Sequence, residues 1–100
     1  MAELRDQSVL IVVEGELTPL VMALQEHMES AGADVMVVGD NPDVIADTLT
    51  SFEFTAAVVS GDNPSAVAQL QLPTVLFYET DPPAQIVSRL QRVLDAAREG

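Results

Sequence analysis

The chain lacks cysteine and lysine altogether, and only 4% of its residues are aromatic. Without cysteine there are no disulfides, no thiolate metal sites and no cysteine nucleophiles. Without lysine the positive charge rests on four arginines, Arg5, Arg89, Arg92 and Arg98. Long hydrophobic runs are also missing. The longest are five residues, far short of a membrane span, and the opening MAELRDQ has no signal-peptide pattern. A cytoplasmic protein is therefore expected. With 48% hydrophobic residues and so few aromatics, its core must consist of Val, Leu, Ile, Ala and Met. One hundred residues suit a single domain, 1–100.

Charge of one sign dominates what is present. Sixteen carboxylates face the four arginines, a formal net charge of -12, and between Asp6 and Ser88 the only potential cation is His27. A field of that sign repels phosphate backbones, so nucleic-acid binding is not expected. Acidity of this kind commonly serves solubility.

The chain is organised around residues 8–16, SVLIVVEGE. Five consecutive apolar residues, mostly β-branched, suit a strand covered on both faces in a parallel sheet. Thr18-Pro19 then supplies a cap and a first-turn proline. Leu17, Leu20, Val21, Leu24 and Met28 follow at helical spacing, ending at Ala31-Gly32. Further strands are expected at 35–38, 55–59 and 74–78. A local repeat, VVGDNP at 37–42 and VVSGDNP at 58–64, twice places Asn as an N-cap before Pro. The helix after Pro42 carries Val44, Ile45, Leu49 and Phe52. A short one after Pro64 turns Val67 and Leu70 inward. Asp81-Pro82-Pro83 reads as a cap before a final helix with Ile86, Val87, Leu90, Val93, Leu94 and Ala97 on one face. Alternation of four strands with four helices predicts right-handed βαβ units and a parallel sheet.

The segments VLIVVEGE, AGADVMVVG, FEFTAAVVS and DPPAQIVSRLQRVL together resemble the receiver domain of bacterial response regulators in two-component signalling. The likeness spans nearly the whole chain and is carried by hydrophobic pattern and loop placement. It implies a flavodoxin-like three-layer α/β/α sandwich. For this chain it implies a sheet of four parallel strands in the order 2-1-3-4, like a truncated receiver short by about one strand–helix unit. PTVLFY reads like the family's fourth strand, whereas YETDPPAQIVSRL reads like its fifth strand and last helix.

The chemistry of that family does not carry over. Receivers hold magnesium on two acidic residues after the first strand; Glu14 matches one, and Gly15 stands at the other. Their phosphoacceptor aspartate ends the third strand, where this chain has Ser60 in TAAVVS. Serine forms no acyl phosphate. Their lysine near the last strand has no counterpart in a chain without lysine. The resemblance thus implies a non-phosphorylatable pseudo-receiver, not an enzyme, that works without a cofactor by binding a protein such as a kinase, a regulator or itself.

Glu14, Glu16, Asp40, Asp62, Glu79 and Asp81 all fall where the C-terminal edge of the sheet is expected. The alternative reading is a small metal- or ligand-binding domain that uses this edge, with Glu14, Glu16 and Asp62 as ligands. Helix capping and solvation explain the same residues without a ligand. Asp62 as a displaced acceptor would lack the lysine, and Ser60 as a nucleophile would lack a base, because His27 belongs to the outer side of the first helix.

One consequence concerns association. In the order 2-1-3-4 the apolar segment TVLFY forms a sheet edge that a full receiver would pair with its fifth strand. The face of the final helix bearing Ile86, Leu90 and Val93 is expected to be incompletely covered. Val75, Leu76, Phe77 and Tyr78 of the strand and Ile86, Leu90 and Val93 of the helix are therefore interface candidates, for a homodimer or for a partner that replaces the missing unit.

Overall fold

The first apolar run lies inside the sheet. In a computed structural model, which describes residues 7–14, 17–61, 70, 72–78 and 80–99, Val9 to Val13 of strand β1 (Ser8–Val13) are all buried. β1 is followed by helix α1 (Pro19–Ser30), strand β2 (Asp34–Gly39), helix α2 (Pro42–Ser51), strand β3 (Ala56–Ser60), strand β4 (Thr74–Phe77) and helix α3 (Pro83–Glu99). Most of the expected short helix after Pro64, Val67 included, falls outside the described residues, but Leu70 is described and buried in the α2-side core, as expected.

The four strands form one parallel sheet in the order β2-β1-β3-β4. Both interior strands, β1 and β3, are near-continuous apolar runs, as a doubly covered parallel sheet requires. Alternation along them divides the core in two. Val9, Ile11, Val13, Ala56, Val58, Val75 and Phe77 point to the layer of α1 and α3. Leu10, Val12, Ala57 and Val59 point to the layer of α2, where Ile45 is buried. The result is an α/β/α sandwich consistent with the flavodoxin-like fold.

Local signals set the helix ends. Thr18 Oγ1 accepts from the Val21 N–H at 3.3 Å, and Asn41 Oδ1 accepts from the Asp43 N–H at 2.9 Å, each ahead of a proline in the first turn. α1 closes in a Schellman motif. The Gly32 N–H donates to Glu29 O at 3.0 Å and the Ala33 N–H to Met28 O at 3.1 Å, with Gly32 at φ 101°. The second copy of the repeat, Asn63-Pro64, lies outside the described residues.

Two sequence expectations need correction, for Leu17 and Phe52, while Val44 does belong to α2 as expected. Leu17 precedes α1 and is exposed. Val44 sits on the outer side of α2, next to Ile45 but about a hundred degrees around the helix. Phe52 leaves the helix: its backbone is extended, φ -136° and ψ 152°, and its side chain is 53% exposed. Leu17 lies before its helix begins and Phe52 after its helix ends, so helical spacing does not apply to either.

The uncovered face expected on the last helix is also corrected. Ile86 and Leu90 are fully buried, because α3 packs beside α1 and across β4 and β3. Burial of each such side chain contributes about 1.5–3 kcal/mol. Only Val93 on that face remains half-buried.

Candidate functional site: the C-terminal edge of the sheet

β1 and β3 run side by side, with Val12 opposite Val59, so Glu14 and Ser60 emerge from neighbouring strand ends. Glu14 is exposed and Ser60 half-buried. On the other side of Ser60, register places Phe77 of β4 opposite it, and the Gly61 N–H donates to Phe77 O at 2.7 Å. Gly15, Glu16, Asp62 and Glu79 lie outside the described residues. Among those described, no group of three or more His, Asp or Glu side chains is placed to hold a metal ion.

What the fold does bring together is Ser60, Gly61, Tyr78, Asp81 and Arg89. The ring of Tyr78 lies against Gly61 so closely that a Cβ there would overlap its Cε1 and Cζ. The ring occupies the space left by the missing Cβ at Gly61, and an added Cβ would make it shift. The turn after β4 fixes where Tyr78 stands. The Asp81 N–H donates to Tyr78 O at 2.9 Å, and the Tyr78 N–H donates to Asp81 Oδ2 at 3.1 Å. From α3, Arg89 grips the same carboxylate with both arms of its guanidinium, Nη1 to Oδ2 at 3.2 Å and Nη2 to Oδ1 at 3.4 Å. The Arg89 hydrogen bonds, aided by the Tyr78 N–H, hold the Asp81 carboxyl below its ordinary range.

The expectation that Asp81 caps the last helix is therefore replaced. Among the described residues its carboxylate bonds back to Tyr78 and across to Arg89, and Pro82 O accepts from the Gln85 N–H at 3.1 Å and the Ile86 N–H at 3.2 Å. Gly61 and Arg89 escaped the sequence reading as site residues. Gly61 had a signal in the SGD turn after β3, but Asp81 and Arg89 are eight residues apart, a spacing that no short motif marks.

The interface candidates divide by pleat. Val75 and Phe77 turn inward and are buried, whereas Leu76 and Tyr78 turn outward, 36% and 47% exposed. His27 is exposed on α1, as its sequence position implies. Among the described residues no helix is long and apolar enough to cross a membrane. Compared with protein-family models, curated proteins and solved structures, the chain matches none.

Proposed function

We propose that this domain is a receiver-like protein-interaction module that takes no phosphoryl group, at work in bacterial two-component signalling in the cytoplasm. The observation that carries the reading is the seating of Tyr78 on Gly61, next to Ser60. An aspartyl acceptor at the end of β3 would need open space above it for a phosphoryl donor and a cation. That space borders an aromatic ring, and the strand ends in a hydroxyl that forms no acyl phosphate.

The same edge supports binding. β4 pairs only with β3 among the described residues, and its outward Leu76 and Tyr78 form an apolar pair at the sheet margin. A kinase, a regulator or a second copy of the chain docks there in this reading, with a two-fold dimer as the simplest closed arrangement. Ile86 and Leu90, being buried, contribute shape and not contact.

Incubation with acetyl phosphate and magnesium, followed by mass measurement of the intact chain, tests the proposal. No mass gain is expected. A stoichiometric gain of one phosphoryl group overturns it.

A further inference from the structure

The opposite end of the sheet carries a cavity of about 260 Å³. It is lined by Ser8 of β1, by Asp34, Val35 and Met36 of β2, and by Phe52, Glu53 and Phe54 of the α2–β3 connection. Phe52 and Phe54 are two apart in extended chain, so their rings fall on one side, with centroids 6.4 Å apart and planes tilted by 55°. Phe54 and Met36 reach down to the α2-side core, while Phe52 stands half out of the protein.

The strand beside this cavity is the other edge of the sheet. β2 pairs only with β1 among the described residues, so alternate N–H and C=O groups along it face outward. No residue of β2 is fully buried, in contrast to β1 and β3, and Val35 to Val38 are all half-covered. The strand has no proline or lysine to discourage pairing, and its one charge is Asp34 at the start.

Charge selects the occupant. Asp34 and Glu53 are exposed at the rim, and no Lys or Arg occurs between Arg5 and Arg89. A second copy of a chain of net charge -12 would set these carboxylates against their own counterparts. We propose that the β2 edge binds an extended basic segment of a partner protein. The segment joins the sheet as an added strand and seats one apolar side chain in the cavity between Phe52 and Met36. Main-chain hydrogen bonds to β2 supply affinity, while the cavity and its acidic rim supply specificity. This surface is separate from the β4 edge, at the far margin of the sheet, and stands or falls independently of it.

Two blocked peptides, KVKFKVK and EVEFEVE, test the proposal by calorimetric titration and by amide chemical shifts of the labelled protein. The basic peptide is expected to bind and the acidic one not to bind. Shift changes should centre on residues 34–38 and 52–54, and outward β2 amides should gain protection from hydrogen exchange. Phe52→Ala is expected to weaken binding about tenfold. Glu53→Lys should weaken it as well, while Leu76→Lys at the other edge leaves it unchanged. Both Phe52 and Glu53 are exposed, so thermal melts of the variants should match the parent protein. Equal binding of the two peptides, shifts centred on β4, or no binding at millimolar peptide overturns the proposal. So does indifference to Phe52→Ala in a folded variant. Self-association abolished by Phe52→Ala would assign the edge to a second copy instead. Tetramethylammonium bound in the cavity with no added β2 protection would assign it to a small cation.

Discussion

The ring of Tyr78 rests on the backbone of Gly61, and the two residues close the C-terminal edge of the sheet between β3 and β4. Tyr78 is the single tyrosine, and the chain has no tryptophan, so intrinsic fluorescence reports on this contact alone among the polar aromatics. Gly61→Ala is expected to push the ring into solvent and change the tyrosine emission and its anisotropy. The stability cost should stay under about 1 kcal/mol, because a half-exposed ring can swing away. Unchanged emission would show that the ring does not sit on Gly61.

The clamp on that tyrosine is ionic and should respond to acid. Asp81 is held below its ordinary value of 3.8 by Arg89 and the Tyr78 N–H. A carboxylate with a depressed folded pKa stabilises the fold fully above its unfolded pKa. That contribution disappears as pH falls through the lower folded value. Asp81→Asn should therefore melt below the parent protein at pH 7, and the two curves should converge below pH ~3.8. High salt should narrow the gap at pH 7, since the pair is partly exposed. A gap that persists unchanged at pH 2 would contradict this account.

Burial of the α3 face sets a different scale. Leu90→Ala or Ile86→Ala should each cost about 2–5 kcal/mol in denaturant unfolding, because both side chains are fully enclosed. Met22→Ala, on the exposed side of α1, should change stability by less than about 0.5 kcal/mol. Comparable costs at the two places would mean that α3 does not pack as described.

Among the described residues Gly32 is the one glycine with a positive backbone angle, φ 101° at the end of α1. Gly32→Ala should cost about 1–2 kcal/mol, since an L-residue strains there and the Schellman bonds loosen. Gly39→Ala, where a Cβ meets nothing within 4 Å, is the matched control and should be much milder.

The β4 edge is tested by Leu76→Lys, which puts a charge on an outward position. If copies associate through this strand, sedimentation at micromolar concentration should show a dimer that Leu76→Lys converts to monomer, while His27→Lys leaves it intact. Val75→Lys is unsuitable, because Val75 is buried and the substitution would unfold the domain rather than expose its edge.

Much of the fold was legible because the signals behind it are local. A β-branched run with no polar interruption leaves few alternatives to a doubly covered strand, and Thr18-Pro19 and Asn41-Pro42 state where helices begin. Right-handed crossovers restrict the topology but leave several strand orders open; the order β2-β1-β3-β4, implied by the resemblance to receivers, is the one the sheet adopts. Gly15, Ser60 and the absence of lysine are likewise read directly from the sequence, and no packing can change them.

Only the tertiary structure decided which apolar residues stay outside and which distant groups meet. Leu76 and Val75 are chemically alike and adjacent, yet the pleat of a strand at the sheet margin buries one and exposes the other. Phe52 continued the helical spacing of α2 but left the helix to build the rim of a cavity with β2. Asp81 looked like a cap until α3 brought Arg89 to it from eight residues away. Periodicity and capping are written over one or two turns of chain, whereas burial and ion pairing depend on which element packs across the sheet, and that is a property of the assembled layers.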